Sequence, residues 1–166
     1  MWIESATPTQ ARKAGRTLVT TVIGRPVKAG PVALDTVVFI YFIEENPDFL
    51  PLIEPVFSAI ARGELRAVTP ELTLLEVLVA PYCRGDFALA EQYEALLSRS
   101  AGLRLVPLDR LLLRTAARLR ASHSVKTPDA LQAAVALVSR CTVLITNDRD
   151  FRTLDDPRVL QLAAYR

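Results

Sequence analysis

Four acids in this 166-residue chain stand where carboxylates can do chemistry: Asp35, Glu76, Asp129 and Asp148. Asp35 follows the apolar run Pro31 to Leu34 and precedes Val37, Val38 and Phe39, and Glu76 is flanked by Leu74, Leu75, Val77 and Leu78. An ordinary surface acid is not embedded this way, because apolar surroundings penalise an unpaired charge. Four carboxylates within about 6 Å of one another would repel by roughly 3 kcal/mol per pair at an effective dielectric near 20. Such a cluster requires protons or cations, and oxygen ligands suit the hard ions Mg2+ or Mn2+. These ions bridge phosphate oxygens and activate water for in-line displacement. Spacing alone leaves open whether the four acids converge.

The elements that must position them follow from apolar periodicity. From Pro31 onward, short apolar runs alternate with longer helical stretches, the pattern of β-α-β units and a parallel sheet. Pro31 to Leu34 reads as a buried strand, Val37 to Glu45 as a short helix stopped at Asn46-Pro47, and Leu50 to Arg62 as a second helix ended by Gly63. Leu65 to Val68 reads as the next strand, with Thr69 capping the Glu76 helix and Pro70 at its first position. Tyr82 to Gly85 breaks the pattern, and Phe87 to Ser100 resumes it with Phe87, Ala90, Tyr93, Leu96 and Leu97 inward. Leu103 to Leu108 is a strand, and Asp109 caps a helix over Arg110 to Ala121 that packs through Leu112, Leu113, Ala116, Ala117 and Leu119. Thr127-Pro128-Asp129 opens a helix reaching Val138, Thr142 to Thr146 is a β-branched strand, and Val159 to Leu162 is a last short one. Asp35 and Asp148 then follow strands directly, and Asp129 lies near a helix start, the places where open parallel sheets gather their chemistry.

Composition narrows the chemistry further. His123 is the single histidine, which removes two-histidine ribonuclease mechanisms and helical H-E-x-x-H zinc sites. Cys83 and Cys141 are far apart and outside any C-x-x-C spacing, so neither a disulfide framework nor zinc is expected, and a reducing cytoplasm fits. The longest apolar run, Val37 to Ile43, is far short of the roughly 20 residues that cross a bilayer. Residues 1 to 30 carry Arg12, Lys13, Arg16, Arg25 and Lys28 against Glu4 alone, so the formal +2 of the chain leaves the remainder net acidic. That stretch reads as a basic extension, an arm or an added strand over Thr17 to Ile23, ahead of a domain spanning 31 to 166. Its TLVTTVI run is too broken by threonine for a secretory signal.

Together, LDT at 34 to 36, the helical Glu76 in LTLLEVL, KTPDALQAA at 126 to 134 and TNDRDF at 146 to 151 resemble a PIN-domain ribonuclease, particularly a VapC-type toxin. The motifs occur in the family's order, and the resemblance covers Pro31 to Leu162. It implies a PIN-like three-layer α/β/α domain with a central parallel sheet of four to five strands. It also implies a metal pocket of Asp35, Glu76, Asp129 and Asp148 holding Mg2+ or Mn2+, in which hydrolysis needs no covalent enzyme intermediate. Thr36 and Thr146 match supporting hydroxyl positions, and Asp150 an outer acid. The implied partners are an RNA substrate, often tRNA, a cognate antitoxin and a second copy of the chain. The basic extension departs from the family pattern, in which the first strand lies almost at the start.

Each acid also has a bland reading: Asp129 as an early-helix acid favoured by the macrodipole, Asp148 as a turn residue. Asp155 and Asp156 read as solvated loop. Arg110, Arg114 and Arg118 repeat every four residues and could track RNA phosphates, although such a stripe is more often solvated. Lys126, just before the Asp129 helix, is the better phosphate candidate. A haloacid-dehalogenase-like phosphatase needs a second Asp two positions after the first, where Val37 stands. A PIN domain that binds RNA or protein without cutting, or one that processes RNA outside a toxin-antitoxin pair, remains the alternative.

Overall fold

The computed structural model describes residues 30–154 and 156–165. The basic extension, with the strand expected over Thr17 to Ile23, and Asp155 lie outside the described residues. Five parallel strands form one sheet in the order β3-β2-β1-β4-β5: β1 Val32–Leu34, β2 Ala67–Pro70, β3 Leu103–Val106, β4 Val143–Thr146 and β5 Val159–Gln161. Six helices connect them: α1 Thr36–Ile43, α2 Leu50–Ala61, α3 Leu72–Arg84, α4 Phe87–Arg99, α5 Arg110–Ser122 and α6 Thr127–Val138. Among the described residues no helix is long and apolar enough to cross a membrane.

Alternation along the strands divides the core in two. Val32 and Leu34 face a layer with Phe39, Leu52, Ile53, Ile60, Val77, Tyr93 and Leu97 from α1 to α4. Ala33, Val68 and Leu144 face the opposite layer with Leu112 and Ala116 of α5 and Ala130, Ala133 and Ala134 of α6. Small residues on α6 let that helix press closely on the sheet. The result is the parallel sheet that the alternation of elements predicts, in the three-layer α/β/α arrangement that the resemblance implies.

Several local expectations change. Thr69 and Pro70 belong to β2, because Pro70 pairs with Val106 of β3 and the Thr69 hydroxyl bonds to that of Thr73 (2.7 Å). Thr69 is therefore not a cap; α3 starts after Glu71, which makes no side-chain cap bond. No break occurs at Tyr82, since α3 continues to Arg84 and stops at Gly85, whose φ of 67° suits a residue without a Cβ. Asp86 then caps α4 by accepting from the Leu89 N–H (3.0 Å), which turns Phe87 outward to 67% exposure rather than inward. Leu113 and Ala117 of α5 are likewise exposed, leaving Leu112, Ala116 and Leu119 to pack. Asp109 caps α5 as expected, accepting from the Leu112 N–H (2.9 Å). At α6 the cap position is Lys126, and Thr127 is already helical.

Candidate metal centre at the strand ends

The chain builds outward from β1 to β2 and β3, then returns across β1 to lay down β4 and β5 on the other side. The carboxyl ends of β1 and β4 therefore border the topological switch point, where adjacent connections leave toward opposite faces and open a crevice. Asp35 follows β1 and Asp148 follows β4 by two residues. Asp35 caps α1, with Oδ1 accepting from the Thr36 N–H (2.7 Å) and Oδ2 accepting from the Thr146 hydroxyl (2.6 Å). The same Thr146 oxygen accepts from the Asp148 N–H (2.9 Å), so one buried hydroxyl ties the two strand ends together. Asp148 Oδ1 in turn accepts from the Asp150 N–H (2.9 Å), capping a short 3-10 helix over Arg149–Thr153.

Glu76 reaches the same region from α3. Its Oε2 accepts from the Thr36 hydroxyl. That hydroxyl accepts from Gln132 Nε2 (2.8 Å), whose amide also donates to the Thr73 hydroxyl (3.0 Å). Thr69, Thr73 and Gln132 are all buried, so Glu76 is oriented by a polar web within the protein rather than by solvent. Asp129, in the first turn of α6, leaves its Oδ2 buried and without a partner among the described residues.

Asp35, Glu76, Asp129 and Asp148 line a single pocket of about 610 Å³ together with Thr36 and Gln132. Val37, Ile40, Tyr41, Pro128, Asn147 and Arg149 complete its wall. Burial pushes the Asp35 carboxyl up to about 6, against hydrogen bonds from Thr146 and Thr36 that favour the charge, with Glu76 and Asp148 adding repulsion. Burial likewise raises Asp129, followed by the negative charges of Asp148 and Asp150. Like charges thus face one another across a partly dehydrated hollow.

Not every sequence candidate reaches it. Asp150 lies outside the lining and pairs with Lys126 (3.2 Å). Lys126 is drawn to that rim acid, and neither it nor the exposed Arg110, Arg114 and Arg118 of α5 lines the pocket. The cation that does is Arg149, which lies unremarked between the acids of TNDRDF. Gln132, Thr69 and Thr73 were also missed as site residues, since their partners come from segments distant in sequence.

Among the described residues no group of three or more His, Cys, Asp or Glu is closed into a ligand set for a metal ion. The donors nevertheless fit a hard divalent cation. They are all oxygens, and among the described residues Asp129 Oδ2 is buried without a partner and each Asp35 oxygen keeps a lone pair beyond its one hydrogen bond. Mg2+ commonly takes only one or two carboxylates and completes its octahedron with water, so a closed cage is not required.

The model of the PIN domain matches residues 32–157. No curated protein matches the chain. Among solved structures, a toxin-antitoxin complex from Klebsiella pneumoniae is similar at 20% identity and TM-score 0.59, covering 79% of this chain and 97% of that one. A DNA-bound VapBC from Salmonella typhimurium is similar at 22% identity and TM-score 0.59, covering 80% and 98%. VapBC-5 from Mycobacterium tuberculosis, of the VapBC family of toxin-antitoxin systems, is similar at 28% identity and TM-score 0.52, also covering 80% and 98%.

Proposed function

Since this chain belongs to the PIN-domain family, we propose that it is a divalent-metal-dependent endoribonuclease and the toxin of a type II toxin-antitoxin pair. One observation carries the reading: acids from four separate segments line one pocket at the switch point of a parallel sheet. In this reading Asp35, Asp129 and Asp148 hold Mg2+ or Mn2+, and Glu76 completes the site directly or through water. When bound, the ion supplies charge stabilisation on the phosphate oxygens and a lowered pKa for the attacking water. Thr146 fixes the Asp35 carboxylate, Thr36 and Gln132 fix Glu76, and Arg149 meets the phosphate from the rim. Asp150 acts from outside the pocket by holding Lys126.

The solved relatives are VapBC or toxin-antitoxin complexes, which supports an antitoxin as partner. The exposed stripe of Leu75, Val79 and Tyr82 on α3, continued by Phe87, is the surface we assign to a homodimer. tRNA is the RNA class the family resemblance favours. The second reading is a PIN domain that binds RNA or protein without cutting.

Incubating the full chain with total RNA in Mg2+ or Mn2+, with and without EDTA, separates the two. Cleavage that EDTA abolishes is expected. Intact RNA under every metal condition would favour the binding module.

A further inference from the structure

The lining of the pocket is of two unlike kinds. Beside the acids it includes a wall of Val37, Ile40 and Tyr41, which share one face of α1, together with Pro128, and acid chemistry makes no use of them. Water and a metal ion would be served as well by polar walls, so the apolar side calls for a ligand with an apolar part.

Tyr41 is the defined element of that wall. Its ring stacks on Phe49, with centroids 4.5 Å apart and planes inclined by 10°, which fixes it in place. Its hydroxyl accepts from Asn147 Nδ2 (3.1 Å), and Asn147 is itself held because its Oδ1 accepts from the Ala163 N–H (3.1 Å). A phenol that accepts one hydrogen bond still has its own proton to donate. Tyr41 therefore offers the pocket a rigid aromatic surface and a hydroxyl donor, beside acids that would act on a phosphate.

We infer that Tyr41, backed by Phe49 and oriented by Asn147, forms a nucleobase subsite that takes an unpaired base flanking the scissile phosphate. The inference rests on the ribonuclease reading above and narrows its substrate. A base within a duplex has both faces covered by its neighbours, so only a base in a loop, bulge or single strand can lay a face on Tyr41. Stacking tolerates any base, because every base has a π-face. The preference for unpaired RNA is thus stronger than the preference for sequence.

The test uses the full chain and a fluorescein-labelled single-stranded RNA octamer, with its perfect duplex as comparison. Binding is read by anisotropy in Mg2+ on an Asp148→Asn background, so that affinity is measured without cleavage. Tyr41→Leu, which keeps apolar volume against Phe49, is expected to weaken single-strand binding by about 10-fold while duplex binding stays unchanged. Tyr41→Phe keeps the ring and is expected to retain most of the affinity. An octamer with an abasic ribose beside the cleavage position is expected to bind both forms equally, since the lost contact is then already absent. Equal single-strand affinity of Tyr41 and Tyr41→Leu proteins, each shown to be folded by circular dichroism, would overturn the subsite. Continued cutting by Asp148→Asn would instead count against the metal-centre reading and leave the subsite standing.

Discussion

Two polar networks meet at the first turn of α1, and they are built on opposite plans. On the α3 and α6 side, Glu76, Thr36, Thr73, Thr69 and Gln132 satisfy one another within the protein. On the strand-end side, Asp35 is anchored by Thr146 and Thr36 yet remains costly to ionise, and Asp129 keeps a buried oxygen without a partner among the described residues. A satisfied network rigidifies a core, whereas an unsatisfied acid pair stores electrostatic cost that only a proton or cation relieves. The difference teaches that Glu76 is held in place by the fold, while Asp35 and Asp129 carry a cost that the proposed metal would relieve.

Removing a charge on the strand-end side should give the largest effect. Asp35→Asn or Asp148→Asn is expected to lower RNA cleavage by about 100-fold or more in saturating Mg2+, measured as single-turnover rates. Next comes the satisfied side. Gln132→Leu removes one hydrogen bond from each of the Thr36 and Thr73 hydroxyls, which keep their bonds to Glu76 and Thr69. The expected cost is about 1–3 kcal/mol in denaturant unfolding, with weaker cleavage because the hydroxyl that orients Glu76 loses its own donor. If Gln132→Leu left both stability and rate untouched, the contrast between the two networks would fail.

A third effect has the opposite sign. Asp35 titrates near 6 when folded against an ordinary value of 3.8, so the folded, metal-free protein binds more protons across that window. Stability in EDTA should fall as pH rises from about 4 to 6 and then level off, with a span on the order of 3 kcal/mol from this group. Asp35→Asn should flatten that slope and stabilise the metal-free protein at pH 7, even as cleavage is expected to fall. Urea midpoints at pH 4, 5, 6 and 7 for both proteins check this, and identical slopes would contradict it.

The sequence made one of these sides more legible than the other. Asp35 and Asp148 stand after β-rich apolar runs, and strand ends are where a parallel sheet gathers function, so both were visible from patterning. Glu76 was visible as a charge inside an apolar helix. Gln132 was not, because a glutamine among alanines on an amphipathic helix reads as solvent-facing until its partners 59 and 96 residues away are known. Thr69-Pro70 carried a sound helix-start signal, yet pairing with β3 took those residues into the sheet, as tertiary context overrides local preference. Phe87 lay on the expected apolar stripe, but the cap at Asp86 set the phase of α4 and turned it outward. Arg149 gave no signal at all, since its place on the pocket wall depends on the short 3-10 turn after β4.

Everything turns on whether the hollow between β1 and β4 captures a doubly charged ion through acids of separate segments. Calorimetric titration of the metal-free chain with Mn2+ at pH 7 tests it most directly, run beside Asp35→Asn and Glu76→Gln. A saturable isotherm that weakens about 10-fold or more in Asp35→Asn, and less in Glu76→Gln, is the expected result. Superimposable isotherms for all three proteins would contradict the account.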